Sequence, residues 1–295
     1  MRTFSMIFGC RSAMCNGLLC SLIIFGLACS ARGVDADSAR GKAESPKAAE
    51  ETSVDLRPRL ESWGLPPREQ GRRGTCSVFT MVGALEYAKA KRDGKGERLS
   101  VEFLNWAKNN VASVKIRDGG KFSDLWAGFL EGGICLDEDM PYWPKYDRKR
   151  TPSPEAMAYA KKFERGDFRM HWIKNWNVKN GVTEEQFQEI KQVLRGGWPV
   201  CGGFRWPRTL QWKKGALVMY PPEGVYDGHS VLLVGYCDDQ ELPGGGAFIL
   251  RDSLSDRDDR MMCYEYARAY MNDALWIESI KVSDGPARAA AAKAR

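Results

Sequence analysis

The chain has 295 residues, enough for one large or two small domains, and 43% of them are hydrophobic, which is ample for a buried core. The formal net charge is +6, the basic residues are dispersed, and no RNA- or DNA-binding motif accompanies them. These observations argue against a nucleic-acid partner and favour an ordinary globular protein.

The first thirty residues have the pattern of an export signal. Arg2 and Arg11 supply positive charge, residues 18–27 form a short apolar run, and small residues follow. A run this short predicts a cleaved signal peptide at residues 1–30 rather than a membrane span. Cys29 suggests an alternative, a lipid anchor, although Leu27 lies two positions before it where a lipobox prefers three. We therefore predict an exported protein that is periplasmic, on the cell surface or secreted, with no transmembrane span after cleavage.

Composition separates a folded body from the two ends of the chain. Residues 31–53 are small and charged, and residues 283–295 are rich in Ala, Lys and Arg, so a disordered linker and a disordered tail are predicted. Residues 54–282 remain as one domain without an internal repeat.

The periodicity of this body changes from helical to β midway. Apolar spacing and N-cap residues predict helices at 76–91, 100–110, 122–131 and 153–164, and one starting after Thr183. Apolar runs predict strands at 198–204, 216–220, 229–236, 246–252 and 274–282. A helical lobe at about 76–165 followed by an antiparallel β lobe at about 183–282 is an α+β fold, with a natural site in the cleft between the lobes.

Nine cysteines divide into four in the first thirty residues and five in the body. The body contains no CxxC pair and no zinc-site spacing, so we expect no metal, and we expect no cofactor. Cys135, Cys201, Cys237 and Cys263 can form two disulfides or stay as buried thiols. The apolar surroundings of the first three favour thiols.

The fifth body cysteine, Cys76, has a different setting. It follows the glycine-containing turn at residues 70–75 and opens an apolar helix. The positive end of the helix macrodipole favours thiolate over thiol, and the thiolate is the nucleophilic form. A small buried hydrophobic residue is the alternative interpretation.

A thiolate nucleophile needs a base and a group that orients the base. The chain contains two histidines. His229 opens an apolar strand after a glycine, where a side chain projects into a cleft, whereas His171 lies in an alternating, strand-like segment and is predicted to be structural or on the surface. Asp252 ends the next apolar strand, and neighbouring antiparallel strands can place it beside His229.

Taken together, these segments resemble the papain-like cysteine peptidases. The match extends over residues 54–282 and rests on the combination of segments 70–76, 99–102, 118–120, 198–200, 228–236 and 248–253. The resemblance implies a two-lobed fold, with a helical N-terminal lobe and an antiparallel, β-barrel-like C-terminal lobe. It also implies that Cys76 is the nucleophile, that His229 is the base and then protonates the leaving amine, and that Asp252 orients His229. Gln70 and the main-chain N–H of Cys76 would hold the oxyanion.

The same resemblance implies where a substrate binds. Gly119 and Gly120 would form main-chain hydrogen bonds with an extended peptide, because two backbones can approach closely where side chains are absent. Lys121 and Phe122 would border the pocket for the second side chain before the cut, and Gly203 would lie at its floor. Ser230, which follows the base His229, is also predicted to contact the substrate. The implied partner is a peptide or an unfolded protein.

Several positions depart from the family pattern. The family has cysteine where this chain has Arg73, tryptophan at Ser77, asparagine at Asp252, and Trp-Gly at Leu254-Ser255. Arg73 removes a usual disulfide partner, which fits the prediction of buried thiols. A carboxylate at Asp252 should favour imidazolium and be compatible with activity. The leaving-group side of the cleft has no tryptophan at its usual position.

The sequence therefore predicts an exported thiol endopeptidase that forms a thioacyl-enzyme on Cys76. An exopeptidase or transpeptidase on the same fold, and a catalytically inactive peptide-binding protein, are the alternatives. The segment before Val54 is shorter than the family's inhibitory pro-segment, so we expect any latency to arise in another way. Subsite preference, physiological substrate and oligomeric state are not predicted.

Overall fold

The computed structural model describes residues 51–111, 114–255 and 260–280. The predicted signal peptide, most of the predicted linker, the predicted tail and Cys29 lie outside them. The α-helices of the described part are Arg57–Ser62 (α1), Cys76–Asp93 (α2), Val101–Asn110 (α3), Phe122–Gly132 (α4), Pro154–Lys162 (α5), Glu184–Arg195 (α6) and Tyr264–Tyr270 (α7). The strands are Ser53–Asp55 (β1), Phe168–Lys174 (β2), Val200–Pro207 (β3), Trp212–Lys213 (β4), Ala216–Leu217 (β5), Val225–Asp238 (β6), Gly246–Arg251 (β7), Arg260–Cys263 (β8) and Met271–Ser279 (β9).

The five predicted helices are present, and three begin at the predicted caps. The hydroxyl of Ser100 accepts a hydrogen bond from an N–H group of the first turn of α3, and Ser153 and Thr183 do the same for α5 and α6. The sequence does not predict α1, α7, β1, β4 and β8. Each of these has seven residues or fewer, which is too short for a periodic pattern to stand out.

The strands form one sheet in the order β2-β9-β3-β6-β7-β8-β5-β4, and β1 also pairs with β6. Neighbouring strands are antiparallel except β5 and β8, which are parallel. The α+β class is confirmed, but the expected barrel-like closure is wrong because the sheet is open. One end of the sheet consists of β4 and β5, and at two residues each they are too short to continue the pairing round to β2.

Helix α2 joins the helical part of the chain to the sheet. Its residues are buried on almost every side, because apolar or small side chains such as Val78, Met81, Val82 and Leu85 occupy successive positions round the helix. It contacts α3 and α4 as well as β3, β6 and β9. One apolar cluster runs through these contacts. This packing fixes the position of the first residue of α2.

The five cysteines of the described body are thiols and form no disulfide with one another. The prediction of buried thiols is confirmed for Cys135, Cys201 and Cys263, while Cys237 is half-buried. Burial raises the pKa of Cys135 to about 12 and also raises the pKa values of Cys201 and Cys263. These three thiols therefore stay protonated and unreactive at neutral pH.

Candidate active site

Cys76 is the first residue of α2 and one of the residues that line a cleft cavity of about 290 Å³. Burial alone would raise the pKa of its thiol. A hydrogen bond with His229, the positive charge of that ring, and main-chain hydrogen bonds from Ser230 and Ser77 outweigh burial, so the pKa of Cys76 lies below its usual value. The pKa of Cys76 is thus lowered, whereas burial raises the pKa values of the other buried thiols.

His229 and Asp252 come together because β6 and β7 are paired antiparallel neighbours. His229 lies on β6, and Asp252 directly follows the last residue of β7. The distance from His229 Nε2 to Asp252 Oδ1 is 2.8 Å, and both side chains are buried. Since Nε2 is engaged by the carboxylate, Nδ1 is the ring nitrogen left for the hydrogen bond with Cys76. Cys76, His229 and Asp252 thus form one series. His229 is hydrogen-bonded to Asp252, and Cys76, whose Sγ also lies 3.8 Å from the carbonyl oxygen of Gly228, interacts with the ring.

The contacts of this series also shift the pKa values of His229 and Asp252. Burial alone would lower its pKa, but hydrogen bonds with Asp252 and Cys76 and their negative charges raise it to about 9. Burial would raise the pKa of Asp252, but hydrogen bonds with His229 and Arg260 hold it below its usual value. The arrangement therefore favours thiolate, imidazolium and carboxylate together at neutral pH.

Gln70 is buried beside this series, although it does not line the cavity. Its Oε1 accepts a hydrogen bond of 2.6 Å from the hydroxyl of Ser253, and its Nε2 donates to the carbonyl of Arg73 at 2.6 Å. A carboxamide nitrogen has two N–H groups, so one remains after the bond to Arg73. The side chain is therefore fixed by Arg73, three residues before Cys76, and by Ser253, which follows Asp252.

Gly119 and Gly120 have different surroundings. Gly119 has a φ of +71°, and a Cβ there would lie 2.0 Å from the carbonyl oxygen of Gly74, so this position requires glycine. It is buried and does not line the cavity, whereas Gly120 does. Gly119 thus shapes the loop, and Gly120 is the member of the pair that faces the cleft.

Most polar main-chain groups of the pair are already hydrogen-bonded. The N–H of Gly119 donates to Asn105, its carbonyl accepts from Lys108 Nζ at 2.6 Å, and the N–H of Gly120 donates to the hydroxyl of Ser77 at 3.2 Å. Among the groups of this pair, the carbonyl of Gly120 is left to meet a ligand. Both glycines were expected to form main-chain hydrogen bonds with a substrate. Side chains of α2 and α3 bind three of the four main-chain N–H and carbonyl groups of the pair, so the expectation is kept only for the carbonyl of Gly120.

No family model matches the chain. Among curated proteins it is similar to falcipain-2a and falcipain-2b of Plasmodium falciparum (isolate 3D7), each 25% identical over 187 residues, or 60% of this chain. The match covers 32% of the first and 33% of the second, so the chain spans about a third of the length of these curated relatives.

Solved structures extend the comparison over more of the chain. Xylellain, a cysteine protease from Xylella fastidiosa, is 20% identical with a TM-score of 0.61, covering 84% of this chain and 94% of that one. Digestive procathepsin L 3 of the Tenebrio molitor larval midgut is 19% identical with a TM-score of 0.56, covering 81% and 73%. The chain has the papain-like fold. The proform of Amb a 11, a ragweed pollen cysteine protease, agrees at 17% identity and a TM-score of 0.56, covering 80% and 69%. The resemblance to papain-like cysteine peptidases is confirmed.

Within this papain-like fold, a tryptophan reaches the histidine from an unexpected strand. Trp206 on β3 packs edge-on against the ring of His229, with ring centroids 4.5 Å apart, and is almost fully buried. Leu254, at the family's tryptophan position, is 43% exposed. The sequence shows the missing tryptophan beyond Asp252 but not its replacement, because Trp206 reaches His229 through the pairing of β3 with β6.

A buried ion-pair network occupies the place of the missing disulfide. Arg73 binds Glu102 through two nitrogens, at 2.6 and 3.2 Å, and Asp118 through two nitrogens, at 2.9 and 2.8 Å. It also donates to the carbonyl of Trp143 and lies 4.4 Å from the ring centre of Tyr142. Burial would lower the pKa of Arg73, but the hydrogen bonds raise it above its usual value. These ion pairs therefore link the segment before Cys76 to α3 and to the loop before Gly119.

Most of the predicted substrate residues line the cavity. Those in contact with it are Gly120, Lys121, Phe122, Gly203 and Ser230, together with Cys76 and His229. A Cβ at Gly203 would lie 2.0 Å from a carboxylate oxygen of Asp273, so glycine keeps this floor open. Within residues 51–111, 114–255 and 260–280, no group of three or more His, Cys, Asp or Glu side chains is placed to hold a metal ion.

The cavity is also lined by residues that were not among the candidates, and two of them, Asp273 and Trp176, bear on what it can bind. Asp273 on β9 is 5% exposed, and burial raises the pKa of its carboxyl to about 6 despite the opposing charges of Lys174 and Lys121. Trp176 is half exposed, with Lys121 Nζ 4.7 Å from its ring centre. Both reach the cavity by strand pairing or by a loop, so no local pattern in the sequence marks them.

His171 lies away from the cleft, as predicted. It is on β2, its Nε2 is 2.9 Å from Glu278 Oε1, and it stacks on Trp276 at 4.4 Å. These contacts give it a structural role at an edge of the sheet.

Proposed function

We propose that this papain-like chain is a cysteine-type endopeptidase that hydrolyses peptide bonds through a thioacyl-enzyme on Cys76. The observation that carries the proposal is the series Cys76–His229–Asp252, in which the thiol pKa is lowered and the imidazole pKa is raised to about 9. Such a pair supplies a thiolate and a proton donor in the same state of the protein, as acyl transfer from a thiol requires.

In the proposed first step, the Cys76 thiolate attacks the peptide carbonyl carbon, and the carbonyl oxygen becomes an oxyanion. The main-chain N–H of Cys76 and the remaining N–H of Gln70 would stabilise it. His229 gives its proton to the leaving nitrogen as the C–N bond breaks, which leaves the thioester. In the second step, His229 takes a proton from water as the water oxygen attacks the thioester. Breakage of the C–S bond then releases the acid and restores the thiolate–imidazolium pair.

The cavity supports a peptide as the substrate. The carbonyl of Gly120 would accept a hydrogen bond from an extended peptide, and one side chain would enter the space above Gly203. Asp273 lies inside this space and Lys121 at its exposed edge. We propose a preference for a basic side chain there at neutral pH, because Asp273 is then ionised.

We propose that the protein is exported and acts in the periplasm, on the cell surface or as a secreted protein, on the basis of the export signal predicted at residues 1–30. In the part of the chain that the structure describes, no helix has the length and apolar character of a bilayer-crossing segment. A lipid anchor at Cys29 remains the alternative to a cleaved signal.

The test is cleavage of an unfolded protein, such as reduced and alkylated casein, by the purified chain. We expect internal cuts in the fragments identified by mass spectrometry, and no cuts with Cys76→Ala. Cys237→Ser, which alters a half-buried thiol outside the cleft, is the matched control and should cleave as the parent does. Release of terminal residues alone would indicate an exopeptidase, and acyl transfer to an added amine in preference to water a transpeptidase. Binding of peptides without any cleavage would reject the enzyme.

A further inference from the structure

Asp252 is a buried carboxylate with partners on both of its oxygens. Oδ1 accepts hydrogen bonds from His229 Nε2 at 2.8 Å and from the N–H of Leu254 at 2.9 Å. Oδ2 accepts a hydrogen bond from Arg260 Nη1 at 2.6 Å. The Asp252 side chain is fully buried, while that of Arg260 is 24% exposed. The carboxylate therefore lies between two groups that can both be positively charged.

Asp252 is a buried carboxylate that needs a compensating charge, whereas an uncharged residue at the same position would not. The family pattern has a neutral asparagine at the position of Asp252. A carboxylate at a buried site is costly unless another charge neutralises it. Arg260 at the start of β8 supplies that charge, and it reaches Asp252 because β8 pairs with β7.

We propose that Arg260 is a positioning residue that fixes the Asp252 carboxylate and offsets part of its negative charge, so that His229 faces a weaker anion than an unpaired carboxylate. The proposal rests on the proposed function for its relevance to catalysis. Arg260 does not line the cavity and does not contact Cys76, so it acts through Asp252.

A test of this proposal has to leave the other charged groups near His229 unchanged. Cys76 faces the ring from α2, Asp252 and Arg260 face it from the ends of β7 and β8, and β3 contributes the uncharged Trp206. The same cavity is lined by Arg117, Asp118, Lys121 and Asp273. None of these four is altered in the variants below.

Charge compensation predicts shifts of opposite sign. Arg260→Gln removes a cation and leaves the Asp252 carboxylate uncompensated, so the pKa of His229 should rise. Asp252→Asn removes the anion and leaves the Arg260 cation, so the pKa of His229 should fall. Each shift should be roughly one pH unit or more, as expected for a unit charge a few ångströms from the ring at an effective dielectric constant of about 20. In the double variant the shifts should largely cancel.

The direct measurement is an NMR titration of the labelled imidazole rings, which requires no peptidase activity. The chain has two histidines, and His171→Gln assigns the signal of His229. Arg148→Gln removes an exposed arginine as the matched control and should leave the titration unchanged. Arg260→Lys retains the charge and should titrate within a few tenths of a pH unit of the parent, even if Arg260→Gln fails to fold.

A second measurement follows the alkylation rate of Cys76 against pH by mass spectrometry, which reports the thiolate independently of hydrolysis. If the parent also cleaves peptides, kcat for Arg260→Gln should fall several-fold with little change in KM, because Arg260 touches no part of the cavity. Unchanged His229 titration in Arg260→Gln, a fall instead of a rise, or equal titration in Arg260→Lys and Arg260→Gln would overturn the proposal. Failure of the parent to cleave peptides would instead reject the proposed function and leave this titration test intact.

Discussion

Two sides of the cleft use buried charge differently. On the helical wall, formed by residues 70–76 and 117–122, Arg73 binds Glu102 and Asp118, and these charges bear on the backbone conformation of two loops. On the β wall, His229 lines the cleft with Asp252 and Arg260 behind it, and the ion pair between these two contacts the base itself. Both walls contain an ion pair at a position where the family has uncharged residues.

The difference shows how the effect of a buried ion pair depends on what lies beside it. Arg73 can be treated as a mechanical link between segments, because its partners do not exchange protons with the reacting groups. Arg260 binds the carboxylate that is itself hydrogen-bonded to an imidazole that must gain and lose a proton. We therefore expect changes on the helical wall to alter stability and substrate binding, and changes on the β wall to alter titration and turnover.

The largest effect is expected on the β wall itself. His229→Ala should reduce kcat by at least about 1,000-fold, because the thiolate loses its counter-ion and the leaving amine its proton donor. Asp252→Asn should retain substantial activity, since an amide can still orient the ring. Steady-state kinetics at several pH values measure both. Equal loss in the two variants would mean that Asp252 has a function beyond orienting and charging His229.

Arg73→Met tests the helical wall. It leaves Glu102 buried without its main partner, which should lower the free energy of unfolding by about 3–5 kcal/mol, measured by urea denaturation. Where the protein remains folded, KM should rise more than kcat falls, because the loop carrying Gly120 is loosened. The neighbouring exposed Arg72→Met is the matched control, and a similar effect from both variants would contradict the role of the network.

The smallest effect concerns selectivity in the cavity. Because burial raises the pKa of Asp273 to about 6, its carboxyl is mostly protonated at pH 5 and ionised at pH 7. The preference in kcat/KM for arginine over leucine at the side chain entering the cavity should therefore increase roughly 10-fold over this range. Asp273→Asn should remove the increase. The control Glu278→Gln, on the same strand but paired with His171, should retain the increase. If the preference of the parent does not change with pH, Asp273 does not determine the selectivity of the pocket.

Much of this site follows from local sequence patterns. The caps at Ser100, Ser153 and Thr183, the helix that begins at Cys76 and the strand that carries His229 all depend on residues close together in the chain. The order of these patterns is enough for the resemblance to the papain-like fold.

The remaining features depend on contacts between distant strands. Arg260 reaches Asp252 because β8 lies beside β7, Trp206 reaches His229 because β3 lies beside β6, and Asp273 enters the cavity because β9 lies beside β3. Strand pairing of this kind leaves no periodic signal in one sequence. The expected closure of the sheet is wrong for the same reason, since edge-strand length and register are set by tertiary packing.

We propose that His229 keeps the Cys76 thiol in its nucleophilic form within a cleft that binds peptides. The most direct test of this proposal is treatment of the purified chain with a peptidyl epoxide at neutral pH, followed by mapping of the adduct by mass spectrometry. We expect a single adduct on Cys76 in the parent, greatly slowed in His229→Ala, while Cys135, Cys201 and Cys263 remain unmodified. An absence of adduct on Cys76, or equal labelling of the parent and His229→Ala, would show that His229 does not activate this thiol.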